Sequence, residues 1–377
     1  MSLRDWVYTR SLLPVFERPS HAGLSRRLKT LRRLESLPLA EARRRQWAAL
    51  RSLLEHAYAY SPFYRKRFES AGLTPRDITD PGGLASLPVL TRDDLREHLA
   101  ELRSSRFGEG EVSGAATGGT TDTPVPILRS RDSVQEKAAI QWQFNRWAGF
   151  RPGDKVFYLW GARQDYVEHP SWRWRLYDRG LMRRVWAPTS LLNESVLESY
   201  RLAMLRFRPR ILYAYPTPLA LYCEFLRERG APYHRPASAI CSAEPLLDSQ
   251  RATITGVLGC PLFERYGSRE FGMIAAECEC HRGLHLNAAA AYVEHTPVAG
   301  SEVEGMREML VTDLLNFAMP LIRYRINDCV VPGGEECPCG RGLPLLGRIE
   351  GRTTDTFRLA NGDVVPGVAL TNRVLQT

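Results

Sequence analysis

Between Pro261 and His285 the sequence PLFERYGSREFGMIAAECECHRGLH brings two kinds of chemistry together. Tyr266, Gly267, Ser268, Arg269 and Glu270 place a ring, a permissive backbone, a hydroxyl and two charges where an apolar run ends. Such a strand end suits a nucleotide and its metal ion, with Tyr266 stacking on a base and Glu270 holding Mg²⁺. A core tyrosine and a solvated glutamate would look the same locally. Further on, Cys278-x6-His285 and Cys337-x-Cys339 supply three thiolates and one imidazole, the complement of a closed tetrahedral zinc site. Cys280 and His281 compete as ligands at the first pair. In a reducing compartment, short-spaced pairs favour metal over disulfide; ordinary reduced thiols are the plain alternative.

Four more stretches carry polar chemistry. Thr117-Gly118-Gly119-Thr120-Thr121 offers backbone N–H groups and hydroxyls that can approach phosphate oxygens. No Gly-Lys-Ser/Thr follows, so it is not a Walker loop, and a flexible surface turn fits equally well. Ser242-Ala243-Glu244-Pro245 ends another apolar run; a purine could lie on that backbone, or Pro245 could simply open a helix. Leu310–Leu314 contains Asp313 and Arg323–Asp328 ends in Asp328, carboxylates able to accept from ribose hydroxyls, as an acid does in dinucleotide sites; an edge salt bridge is the alternative. Arg348-Ile-Glu-Gly-Arg352 places an arginine just after a glycine, where it could reach a phosphate bidentately or lie in a solvated loop.

These groups need a frame. Residues 41–70 read as a helix that turns at Ser61-Pro62, with Thr91 capping another. A helix is expected over Asp132–Ala148. Strands are expected over Lys155–Trp160, Arg210–Tyr215, Ala237–Ser242 and Pro261–Tyr266, the last breaking at Gly267. Helices fall between them, over Asn193–Phe207, Pro218–Arg229 and Leu246–Leu258. Such alternation predicts a largely parallel sheet covered by helices, with ligands beyond the strands' carboxyl ends. Longer strands over Leu284–Glu294, Glu308–Asp313 and Pro320–Val331 suggest an antiparallel or barrel-like piece. The organisation expected is a helical part at 1–104, an α/β part at 105–350 and a hinge segment at 351–377.

The 377 residues are too many for one small core. No apolar run is long enough to span a membrane and the N-terminus lacks a signal pattern, so the expectation is cytoplasmic. The net charge of +9 rests almost wholly on arginine, the lysines being Lys29, Lys66, Lys137 and Lys155 alone. The arginines are scattered, and the dense run from Arg26 to Arg45 reads as a solvated helical face, so no nucleic-acid partner is expected. Cys223, Cys241, Cys260 and Cys329 stand isolated in apolar surroundings as buried thiols.

Taken in order, ATGGTTDTP, SAEPL, YGSRE, VTDL, RYRIND and RIEGR resemble the successive motifs of the adenylate-forming superfamily of acyl-CoA synthetases, most closely its phenylacetate–CoA ligase and capsular-polysaccharide ligase branch. His56–Tyr64 and Leu87–Thr91 are similar too, so the resemblance covers nearly the whole chain. It implies an α/β fold, the large domain of such an enzyme, with two mainly parallel helix-covered sheets, a smaller antiparallel or barrel-like piece and the small C-terminal domain largely absent. It also implies adenylation, in which a carboxylic acid attacks the α-phosphorus of ATP, releasing pyrophosphate, before the acyl group passes to coenzyme A, a carrier or another nucleophile. By resemblance Thr117, Thr120 and Thr121 of the Gly118-Gly119 loop hold phosphates. Ala243, Glu244 and Tyr266 contact adenine, flanked by Pro245, Gly267 and Ser268. Glu270 binds Mg²⁺, Asp328 the ribose, and Arg352 approaches the nucleotide, with Glu270, Thr121 and Arg352 nearest the reaction. Tyr215, Pro216 and Gly272 border an acyl pocket whose aromatic content hints at a planar acid. Similar Cys/His positions hold structural zinc in some members, here Cys278, His285, Cys337 and Cys339.

Two departures stand out. Asp122 brings a carboxylate into the phosphate loop, unfavourable beside a triphosphate unless it points away; Asp122→Gly is expected to tighten ATP binding. Family members continue into a mobile domain bearing a lysine that contacts the α-phosphate, whereas 25 residues without lysine follow Arg352. The expectation is a truncated piece or a naturally shortened enzyme that adenylates slowly and transfers poorly; ordinary turnover would instead send the search for the catalytic cation to the arginines, Arg348 and Arg358 first. Rival readings are a non-catalytic nucleotide-binding homologue and a zinc-stabilised basic module that binds RNA or protein.

Overall fold

The computed structural model describes residues 23–116, 125–160, 182–298, 303–334, 336–352, 356–358 and 364–366. It resolves into two units, one built chiefly on Phe144–Tyr266 and the other on most of the chain before and after. Helix α1 covers Leu24–Glu35, α2 Leu39–Tyr60 and α3 Pro62–Ser70. The turn expected at Ser61-Pro62 separates α2 from α3. Ser61 is extended (φ −112°, ψ 114°) because a residue before proline avoids the helical region, and Pro62 then opens α3. Leu50, Leu53, Leu54 and Ala57 form the buried stripe of α2. Thr91 caps α4, Arg92–Glu97: its Oγ1 accepts from Asp94 N at 3.2 Å while the Asp94 carboxylate accepts from Thr91 N at 2.7 Å.

Strands β1, Val112–Ala116, and β2, Pro126–Ser130, pair antiparallel. They bracket the Gly/Thr loop, whose residues 117–124 lie outside those described. Helix α5, Arg131–Trp147, follows at once. It receives Arg27 of α1, which pairs with Asp132 at 2.6 Å and with Glu136. The arginine-rich face is therefore solvated except where Arg27 turns inward.

In the unit from Phe144, parallel strands run in the order β4-β3-β5-β6-β7, with β3 Val156–Trp160, β4 Arg184–Pro188, β5 Ile211–Ala214, β6 Ser238–Cys241 and β7 Leu262–Ser268. Helices α6, Glu194–Phe207, α7, Pro216–Arg229, and α8, Asp248–Leu258, connect them. Strands β5 and β6 are buried throughout, as expected of a parallel sheet covered on both faces. Leu212, Ala214, Ala239 and Leu262 pack with Met204, Leu219, Tyr222, Leu226, Ile254 and Leu258 of the helices. Val156, Ile211, Tyr213, Ile240 and Phe263 form the other layer with Ala148. Lys155 donates to Phe207 O at 2.8 Å and lies 5.1 Å from that ring. Helix α8 begins at Asp248, so Pro245 does not hold its first position; the chain stays extended through Leu247, whose N–H is taken by Gln250 Oε1 at 3.1 Å.

Strand β7 does not break at Gly267 but runs on to Ser268, turns at Arg269–Phe271 and returns as β8, Gly272–Glu277. The turn is tight enough that a Cβ on Gly267 would lie 2.4 Å from Gly272 O. The strand expected over Leu284–Glu294 is split into β9, Leu284–Leu286, and β10, Ala291–Pro297. Asn287 makes the break, its carbonyl accepting from Ala290 N at 2.9 Å and Ala291 N at 3.0 Å. Strands β10, β11 (Arg307–Asp313), β12 (Tyr324–Val331) and β13 (Arg348–Arg352) form an open antiparallel sheet in that order. The strand expected from Pro320 starts only at Tyr324, because Arg323 takes a left-handed φ of 54°. The α/β class is as expected. The barrel-like piece is this open sheet, and among the described residues one sheet, not two, is mainly parallel.

Candidate functional site

Strand β6 delivers Ser242-Ala243-Glu244-Pro245 at its carboxyl end. Ser242 is pinned, its N–H on Ala214 O at 3.2 Å and its Oγ on Arg265 O at 3.3 Å. Ala243 is exposed at φ 75°, a left-handed backbone that costs a residue with a Cβ on the order of 1 kcal/mol. Glu244 Oε2 accepts from Thr217 N at 3.2 Å and so caps α7, leaving the backbone at 243–245 as the surface on offer. Tyr266 is buried. Tyr215 precedes α7 and Pro216 is its first residue; the Tyr215 ring meets Trp160 edge-on at 4.2 Å.

In the other unit the β7–β8 turn carries Glu270. Ser268 Oγ accepts from Phe271 N at 3.3 Å, closing the turn. Lys137 of α5 donates to Glu270 O at 3.0 Å and to Asp313 Oδ2 at 2.6 Å, its side chain 10% exposed and that of Asp313 1%. Arg129 of β2 donates to Arg269 O. Burial pulls the Arg129 guanidinium below its ordinary pKa, against the opposing pull of Asp313 and Glu270. Gly272, at φ 73°, packs on the Lys137 stem, where a Cβ would sit 3.5 Å from Lys137 Cδ. Lys137, Arg129 and Arg269 thus meet the carboxylates of Glu270 and Asp313 around the turn. Sequence reasoning named Glu270 and passed over Lys137 and Arg129; the scarcity of lysine, with one in the helix that follows the Gly/Thr loop, was the available signal.

Asp328 of β12 lies directly opposite Arg352 of β13 in the antiparallel ladder. Strand β12 bulges there: Leu310 faces Arg325 but Glu308 faces Cys329, and Asn327 adopts φ 62°. A bulge of this kind re-aims the residue beside it, here the half-buried Asp328. Arg323, by contrast, is structural. It donates to both Glu294 oxygens at 3.0 and 3.1 Å and to the carbonyls of Ala85 and Leu87. Thr117, Gly118, Gly119, Thr120, Thr121 and Asp122 lie outside the described residues, as do the side chain of Arg352 and all of Arg358 beyond its backbone.

The ligand atoms of Cys278, His285, Cys337 and Cys339 all lie within 4.8 Å of one another. His285 Nδ1 sits 3.3 Å from Leu343 O, which leaves Nε2 facing Cys339 Sγ at 3.3 Å. Backbone N–H groups of Cys280 and Arg341 point at the sulfurs of Cys278 and Cys339, each at 3.4 Å. Three sulfurs, one imidazole with its second nitrogen anchored and N–H donors to sulfur suit a structural zinc. The competing ligands are resolved: His281 faces Glu277, at 3.3 Å, and Cys280 is outside the group. The isolated cysteines are inert, burial raising Cys223 to about 12 and Cys260 and Cys329 to about 11.

No protein-family model matches the chain. It is 27% identical over 348 residues to the phenylacetate–coenzyme A ligase of Pseudomonas putida, covering 88% of this chain and 75% of that protein. The Escherichia coli (strain K12) phenylacetate–coenzyme A ligase is 27% identical over 356 residues, 88% of this chain and 76% of that one. Protein CapK of Staphylococcus aureus is 22% identical, over 83% and 68% of the two chains. Among solved structures, 2-hydroxyisobutyryl-CoA ligase in its postadenylation state matches with a TM-score of 0.72 at 20% identity, covering 92% of this chain and 74% of that one.

Proposed function

We propose, on the premise that the chain belongs to the phenylacetate–CoA ligase-like branch of the adenylate-forming superfamily, that it activates a carboxylic acid with ATP for transfer to coenzyme A. An oxygen of the acid attacks the α-phosphorus, the bond to pyrophosphate breaks, and acyl-AMP forms. The thiol of coenzyme A then attacks the acyl carbon, AMP leaves and the thiol proton passes to solvent. Such steps need positioning and charge neutralisation more than covalent help from the protein. The observation that carries the reading is the Glu270 turn, a buried carboxylate at a strand end whose backbone is held by Lys137 and Arg129.

In this reading Glu270 holds Mg²⁺, which supplies charge neutralisation at the phosphates. Asp328 takes the ribose hydroxyls, and Arg352, opposite it in register, approaches the phosphate end. Ala243, Glu244, Pro245, Tyr266, Gly267 and Ser268 border adenine, and Thr117–Thr121 cradle the phosphates. Tyr215, Pro216 and Gly272 border the acid, for which the phenylacetate-named relatives and the ring of Trp160 beside Tyr215 support an aromatic compound. Cys278, His285, Cys337 and Cys339 hold zinc, which contributes to folding rather than to the reaction. The eight cysteines are all free, which supports a reducing compartment such as the cytoplasm.

The test is pyrophosphate release across a panel of aryl, fatty, amino and hydroxy acids, with ATP binding measured by calorimetry in parallel. An aryl acid should release pyrophosphate, and Glu270→Ala should abolish both release and Mg²⁺-dependent ATP binding. ATP binding unchanged in Glu270→Ala would overturn the assignment.

A further inference from the structure

The sheet face that buries Val156, Ile211 and Phe263 changes character one step further along each strand. Strand alternation places Tyr158, Tyr213 and Arg265 next on that face, with Trp186 beside them. The Tyr158 and Trp186 rings stack at 4.1 Å with 17° between planes, and Tyr158 lies 5.3 Å from Tyr213. Trp160 continues the wall, 5.4 Å from Tyr213 and 4.2 Å from Tyr215. All of these stand toward the carboxyl ends of parallel strands, where ligands bind in such sheets.

Arg265 enters this aromatic wall with a charge that no carboxylate answers among the described residues. It is 3% exposed, its guanidinium lies 5.5 Å from the Tyr213 ring, and one amino group donates to Asn145 Oδ1. The other, Nη2, is buried without a hydrogen-bond partner, and among the described residues no carboxylate pairs with it. Burial pulls its pKa down, opposed by Tyr213, electrostatically and through a side-chain hydrogen bond, and by Tyr158, both neutral groups at ordinary pH. An unpaired buried guanidinium is costly. Another buried arginine, Arg323, shows the usual remedy, two bonds to Glu294 and two more to backbone carbonyls. Arg265 has a fork of donors suited to a bidentate anion, and among the described residues no carboxylate sits on it.

We propose that Arg265 is a specificity-determining residue that receives a second carboxylate on the substrate, the one that is not adenylated. The preferred substrate is then an aromatic dicarboxylic acid, its ring against Trp160 and Tyr215. This rests on the acid-activation reading above.

The experiment compares 3-carboxyphenylacetate, phenylacetate and 3-hydroxyphenylacetate in pyrophosphate release, with wild type, Arg265→Met and Arg265→Lys. Wild type should favour the diacid in kcat/KM by roughly 10- to 100-fold, the range of a charge-assisted hydrogen bond. Arg265→Met should lose that preference while keeping or gaining activity on phenylacetate, and Arg265→Lys should fall between. Because Arg265→Met removes an unanswered charge, its Tm should equal or exceed that of wild type. A variant that melts much lower makes Arg265 structural and overturns the proposal. So does an unchanged acid ranking in Arg265→Met, or a wild type that prefers either monoacid. If ATP binds but no acid releases pyrophosphate, the acid-activation reading falls instead. Thermal stabilisation by the diacid alone, present in wild type and absent in Arg265→Met, then still decides the role of Arg265, and its absence in wild type overturns it.

Discussion

Replacing Lys137 by Met keeps the length and helix propensity of the side chain in α5 but strands Asp313. The pair is separated by 2.6 Å with side chains 10% and 1% exposed. At an effective dielectric of about 20 that distance corresponds to roughly 6 kcal/mol of attraction, offset by desolvation. Removing one member of such a pair costs about 3–5 kcal/mol, because the remaining charge is buried without a partner. The urea midpoint of Lys137→Met should fall accordingly. Adding Asp313→Asn removes the stranded charge and keeps an acceptor for Leu315 N, now 3.1 Å from Asp313 Oδ1. Stability should then return to within about 1 kcal/mol of wild type, a large coupling for neighbouring residues. Adenylation should not return, because the Glu270 carbonyl has still lost its ammonium donor. The assays are urea unfolding followed by fluorescence and pyrophosphate release at saturating ATP. A single mutant with the wild-type midpoint, or a double mutant with wild-type turnover, would refute the reasoning.

Zinc should co-purify at about one ion per chain, and Cys337→Ser or Cys339→Ser should lower Tm before altering ATP affinity, since structural zinc contributes on the order of 10 kcal/mol to folding; elemental analysis finding no metal in fresh protein would end this. Burial, with Glu277 alongside, pushes Glu264 up to about 7 from 4.5, despite Arg251. The native state therefore holds that proton more tightly than the unfolded chain, so this group makes stability fall as pH rises from about 4.5 to about 7. Glu264→Gln should flatten that slope and gain on the order of 1–3 kcal/mol at pH 8, and Tm–pH curves that stay parallel would contradict it. Gly267→Ala should cost about 1–3 kcal/mol through overpacking, since its Cβ would meet Gly272 O at 2.4 Å; a Tm within a degree of wild type would show that the turn relaxes.

Much of the parallel sheet was legible because strand–helix alternation leaves a local signal, and β3, β5 and β6 match their expected runs to within a residue at each end. The grouping of Cys278, His285, Cys337 and Cys339 was legible for a similar reason, as residue type and spacing are read directly. What escaped depends on chain segments far apart in sequence. Gly267 looked like a breaker, yet its missing side chain lets β7 and β8 approach and the strand continues. Asn287 and Arg323 looked like strand residues, yet tertiary bonds turn the chain at both. Lys137 lies 133 residues from Glu270 and 176 from Asp313, a distance over which no periodicity or spacing speaks. Glu244 was legible as a polar group at a strand end, but not as the cap that accepts from Thr217 N, 27 residues earlier in the chain.

The burial of Lys137 and the tethering of Lys155 also bear on what an acyl-adenylate does when no acceptor is present. A mixed anhydride acylates free amines and spares guanidinium groups. Of the lysines, only Lys29 on α1 and Lys66 on α3 present exposed side chains. The rest of the positive surface is arginine, to which that electrophile is indifferent. A protein carrying +9 can therefore release its own reactive intermediate with few places to be scarred by it. After prolonged turnover without coenzyme A, peptide mass mapping should find acyl groups on Lys29 and Lys66 first, with Lys137 labelled only in chains whose Glu270 turn has come apart.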